Sequence, residues 1–258
     1  IMATAIHRTA RLIHKIGVID LGLMVCAYLL YSVVREMASG QEHDAMARAE
    51  SIVAIERSAG FFWEAQLQAW VLSSETLVKL FNGFYTYGHF PVIYAAGLWL
   101  FFFHRPRYVV VRNAFLISGA LSLVVFHLFP LAPPRLLPAE YGFVDTLSLF
   151  SEVNYHSAGN FVNNYAAMPS LHIGWNLLLA IAIVTTVRNA AVRVAGALMP
   201  VLMSVTVVVT GNHYFLDIVG GVAVAMVGLF LALQLDRHGE RVWAAIFGSR
   251  ERARASLA

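Results

Sequence analysis

Two histidines and an aspartate open the last apolar stretches of this chain, where packing alone gives them no purpose. His213 and Asp217 stand four residues apart in the run Gly211-Asn212-His213-Tyr214-Phe215-Leu216-Asp217, and His172 follows Pro169-Ser170-Leu171. A carboxylate at the edge of hydrocarbon is costly unless it is partnered, neutralised or functional. On a helix, residues four apart share a face. Asp217 can therefore accept a hydrogen bond from one ring nitrogen of His213, fixing its tautomer and stabilising the cation formed when the other nitrogen attacks phosphorus. His172 can give a proton to the departing alkoxide, a role worth about 10² to 10⁴ in rate. Together these side chains can break a phosphate ester without a metal.

The phosphate oxygens also need holding. Arg135, after Pro133 and Pro134, offers a planar fork that fits two of them. Ser170, with the N–H groups of Ser170 and Leu171 at a helix start, adds an anion site. Asn164 and Tyr165 are further phosphate-binding candidates, and His89, Tyr85, Asn163 and Tyr214 are candidates to line the pocket. Simpler readings compete with these. An isolated H-x-x-x-D pair is commonly a helix cap, and two histidines with an aspartate are acceptable metal ligands. The second histidine motif weighs against the cap, and a cation at Arg135 weighs against a metal, so neither metal nor cofactor is expected. Cys26, the sole cysteine, has no metal-ligand pattern around it and permits no intramolecular disulfide.

These residues must be placed by elements built for lipid. Of 258 residues, 59% are hydrophobic and 13% charged, far more apolar than a soluble domain requires. Six runs approach or exceed the length needed to cross hydrocarbon, near 16–34, 84–103, 113–131, 171–187, 191–210 and 215–235. The first is read as a retained helix, because no small-residue cleavage site follows it closely. Segment 43–74 sets Met46, Ala49, Ile52, Val53, Phe62, Trp63, Leu67 and Trp70 among Glu50, Arg57, Glu64 and Gln68, which suits an interfacial amphipathic helix interrupted near Gly60. Segment 130–168 reads as a long loop, rich in Pro, Asn and Ser, of the kind that is usually functional. The expected fold is all-α: a polytopic six-transmembrane-helix bundle (16–235) between a short flank (1–15) and a basic tail (236–258).

Arginine and lysine set the orientation. With a cytoplasmic N-terminus most of the 18 fall on the cytoplasmic side, leaving Arg35, Arg48, Arg57, Lys79 and Arg135 outside. Both termini are then cytoplasmic, and His172, His213 and Asp217 meet at the extracytoplasmic face of a cell-membrane protein. Attraction to an anionic inner leaflet accounts for the basic tail without nucleic acid.

Pro169-Ser170-Leu171-His172 and His213-Tyr214-Phe215-Leu216-Asp217 resemble the second and third signatures of the type 2 phosphatidic acid phosphatase superfamily. The resemblance runs from about residue 84 to 235 and implies six-helix membrane enzymes that pass through a phosphohistidine. Within it, the pairing looks most like the branch containing fungal inositol phosphorylceramide synthase, whose members move a phosphorylated head group between lipids. The phosphatase branch carries a lysine seven residues before Arg-Pro, where this chain has Leu98 before Arg105-Pro106, and Ser-Arg where it has Thr206-Val207. The resemblance therefore implies a lipid head-group phosphotransferase acting on a phospholipid or polyprenyl phosphate, with a hydroxyl acceptor. A lipid phosphatase using water and a non-catalytic lipid-binding protein are the alternatives.

Overall fold

The computed structural model describes residues 41–150 and 164–255 and parts of 17–34, with side chains in the last helix to residue 238. The flank 1–15, Asn163 and residues 256–258 lie outside the described residues. The described chain is helical: α1 (Glu42–Ser58), α2 (Glu64–Leu72), α3 (Glu75–Tyr87), α4 (Phe90–Phe103), α5 (Arg105–Leu128), the short α6 (Thr146–Phe150), α7 (Leu171–Thr186), α8 (Ala190–Val209) and α9 (Phe215–Ala255). Three are long and apolar enough to cross a membrane, over Arg105–Leu128, Ala190–Val209 and Phe215–His238, and Leu171–Thr186 is a shorter apolar helix.

The local sequence explains where the helices depart from the apolar runs. Run 84–103 is broken between Tyr87 and Phe90, where Gly88 ends α3 and Pro91, which lacks an N–H, sits in the first turn of α4. Helix α5 starts eight residues before run 113–131, because Pro106 is tolerated in a first turn whose N–H groups have no partner anyway. Pro169 directly precedes Ser170, the N-cap of α7. Helix α9 continues beyond its apolar part to Ala255.

Helix α9 packs on α5 and α7, and α8 returns along α7. Small residues set the crossings. A Cβ on Gly174 would lie 2.7 Å from Gly221 O, and one on Gly228 would lie 2.8 Å from Ala114 O, so backbones meet where side chains are absent. The outward faces are apolar instead. Phe90, Tyr94, Leu98 and Phe102 form one exposed stripe at helical spacing on α4, and Val194, Leu198, Val201 and Val205 another on α8. Such surfaces suit lipid rather than water. At the end remote from His213, Asp20 pairs with Arg112 and lies 3.7 Å from Arg105.

Segment 43–74 is two helices, α1 and α2, broken at Gly60, which has a positive φ of 78°. At the end of α1 and along α2, three polar side chains point inward. Glu56, Glu64 and Gln68 are fully buried, while Trp63 and Trp70 are 59% and 64% exposed. Gln68 explains the inversion: its amide donates to Val144 O and Val209 O and accepts from Val144 N, stitching α2 to the outer loop and to the end of α8. Segment 43–74 thus roofs the end of α8 and the start of α9.

Candidate active site

Helix α8 delivers the loop that carries His213. Gly211, with φ of 70°, follows its last turn; Gly211 N–H donates to Val208 O at 2.9 Å and Asn212 N–H to Val207 O at 2.9 Å. This pair of bonds reverses the chain through a left-handed residue, a conformation glycine adopts without strain. Six residues after Gly211, Asp217, third in the first turn of α9, reaches back so that Oδ2 accepts from Tyr214 N–H at 2.9 Å. The same Oδ2 lies 3.2 Å from His213 Nδ1. One carboxylate therefore caps the helix and orients the imidazole, and its Oδ1 is buried without a partner among the described residues.

The α7 terminus is tied to this turn through the backbone. Ser170 N–H donates to Asp217 O at 3.0 Å, which brings His172 Nδ1 to 3.4 Å from His213 Nε2. With a proton on Nδ1 facing Asp217, His213 Nε2 is the acceptor in that contact and His172 Nδ1 the donor. Nε2 thus carries the lone pair that an attack on phosphorus needs, next to the Nδ1–H of a second imidazole.

His172 is held in turn. Its ring lies against Tyr85 and His89, with centroids 4.8 and 4.5 Å away. Asn176 Nδ2 donates to His172 O at 2.7 Å, a bond its oxygen cannot make, and lies 2.9 Å from His89 Nδ1. That nitrogen of His89 is accordingly an acceptor. Arg135 stands beside the same loop: its N–H donates to Gly211 O at 2.8 Å, Nη1 donates to the Asn212 side chain, and Nε lies 4.0 Å from Asp145.

The structure thus brings together His213, Asp217, His172, Ser170, His89 and Tyr85, with Arg135 joined through Asn212. The Ser170 N–H is not available to an anion, because Asp217 O takes it, but Ser170 Oγ is buried without a partner among the described residues. Three candidates point elsewhere. Asn164 is exposed on the outer loop. Tyr165 packs against the buried cluster that includes Ala45 and Ala49, with its hydroxyl bonded to Glu42. Tyr214, fully buried, donates to Ala132 O at 3.1 Å and so pins the loop rather than lining a pocket. Leu98 is 59% exposed on the apolar stripe of α4, while Thr206 and Val207 are fully buried and bring no charge to the site.

Sequence reasoning missed Asn176, Asn212, Glu56 and Glu64. Asn176 lies one turn beyond His172 on the same helix face, a spacing that could have marked it.

A helical membrane bundle with a His–Asp pair facing a second histidine at one end is the class of protein defined by this fold and site. The chain belongs to the PAP2 superfamily, whose model matches residues 50–231. Members of that superfamily are typically phosphatases or phosphotransferases. No curated protein and no solved structure matched the chain.

Proposed function

We propose that this protein is a metal-independent membrane enzyme that transfers a phosphoryl-linked head group from a lipid to a hydroxyl acceptor through a phosphohistidine on His213. The observation that carries the reading is the placement of His213 between Asp217 at 3.2 Å and His172 at 3.4 Å. In the first step Nε2 attacks phosphorus, the ester P–O bond breaks, and His172 protonates the departing alkoxide. Asp217 holds Nδ1–H and balances the charge on the ring. In the second step an acceptor hydroxyl attacks phosphorus, the N–P bond breaks, and His172 takes back the proton. Arg135 and Ser170 Oγ hold the phosphate oxygens meanwhile.

Six membrane spans with the site on the extracytoplasmic face fit the charge distribution, because Arg105, Arg107, Arg112, Arg188 and Arg193 fall at the opposite helix ends. The uncharged Leu98, Thr206 and Val207 favour a head-group transferase of the inositol phosphorylceramide synthase kind over a phosphatase.

The test is turnover by purified protein in nanodiscs with EDTA, using phospholipids and polyprenyl phosphates as donors and ceramide, diacylglycerol and polyols as acceptors. A new phospholipid, with acid-labile phosphate on a peptide containing His213 and neither product in His213→Ala, is the expected result. Release of the phosphorylated head group from a phospholipid, or of free phosphate from a polyprenyl phosphate, with no new lipid makes water the acceptor, and lipid binding without any turnover overturns the catalytic reading.

A further inference from the structure

The first turn of α9 has its N–H groups taken by three carboxyl groups. Tyr214 N–H goes to Asp217; Phe215 N–H donates to Glu64 Oε1 at 3.1 Å and Leu216 N–H to Glu56 Oε1 at 2.9 Å. Helix starts leave such donors without internal partners and carry partial positive charge. Here the acceptors come from α1 and α2, more than 150 residues away in sequence. Both glutamates are fully buried, and neither Oε2 meets a donor on any other described residue. The Glu56 carboxyl instead bonds that of Glu64. Two carboxyl groups can bond only when one of them carries the proton.

We propose that Glu56 and Glu64 are positioning residues: a carboxyl pair sharing one proton, through which the outer roof clamps the first turn of α9 and holds His213 and Asp217 in register with His172. The effect on catalysis rests on the function proposed above; the clamp itself does not. Burial, the bond to Glu64 and the charges of Glu64 and Asp217 push the Glu56 carboxyl up to about 9, against a bond from Leu216 that lowers it. Tyr214 also packs at this turn, where burial raises its phenol and the charges of Asp217, Glu56 and Glu64 raise it further. As a raised group, Glu56 stabilises the fold fully below about pH 4.5. That stabilisation declines as pH rises towards 9, because the unfolded chain ionises first.

The test compares Glu56→Gln, Glu56→Ala and the parent in nanodiscs. Glutamine keeps an acceptor for Leu216 N–H and a donor for Glu64, but cannot ionise. Amide exchange at Phe215 and Leu216 needs no substrate. It is expected to quicken about tenfold or more in Glu56→Ala and to stay near parental in Glu56→Gln. The unfolding temperature of Glu56→Gln relative to the parent is expected to climb between pH 5 and 9. Turnover should fall in Glu56→Ala mainly through kcat and recover in Glu56→Gln. Parental exchange in Glu56→Ala, or a pH-independent difference between Glu56→Gln and the parent, overturns the clamp. Loss of protection in a protein whose parent has no turnover upholds the clamp and removes the catalytic function instead.

Discussion

At His213 both ring nitrogens face a partner, Asp217 on one side and His172 on the other, and the two partners fail differently when removed. Losing Asp217 frees the ring to adopt the wrong tautomer, whereas losing His172 removes a proton donor from one step only. His172→Ala is therefore expected to slow turnover of an alkyl phosphate ester by about 10² to 10⁴, and to slow a nitrophenyl phosphate substrate far less, because that leaving group departs without a proton. Parallel kinetics on the two substrates checks this, and an equal loss on both would make His172 a phosphate-binding or packing residue. His213, His172 and Asp217 were legible in the sequence because each motif joined unusual residue types at a fixed spacing. Glu56 and Glu64 were not, since acids eight residues apart in a helical stretch ordinarily face water, and only the long-range fold shows their carboxyls bonding the amides of α9.

The elements place these groups by close backbone approach. A Cβ on Gly221 would lie 2.2 Å from Ser170 O, in the crossing that also holds the bond from Ser170 N–H to Asp217 O. Backbone cannot step aside as a side-chain tip can, so Gly221→Ala must push α7 away from α9 and lengthen the contact between His172 and His213. We expect such a displacement, on the order of 1 Å, to cost about 10²-fold in kcat, while the helical content by circular dichroism stays parental. Unchanged kcat would show that the two histidines tolerate separation. Apolar length alone marked α5, α7, α8 and α9. It missed the break at Gly88 and Pro91, because a hydropathy window averages over the local stereochemistry of two residues.

Across the whole molecule, the roof faces two solvents. Helix α1 exposes Glu50 and Ser51, whereas α2 exposes Trp63, Leu67 and Trp70. An indole left in water at that exposure forgoes roughly 3 kcal/mol of burial, and tryptophan favours the headgroup region over both water and hydrocarbon. Helix α2 should therefore lie against the leaflet at this end of the bundle while its inward Glu64 and Gln68 bond α9 and the end of α8, coupling the lipid surface to the first turn of α9. Spin labels in a Cys26→Ser background test this, placed singly at positions 63, 70 and 51. The labels replacing Trp63 and Trp70 are expected to be relaxed by dissolved oxygen and shielded from an aqueous nickel chelate, with the label at Ser51 showing the reverse. Equal nickel access at all three positions would lift α2 off the bilayer and leave its tryptophans free to meet another protein surface.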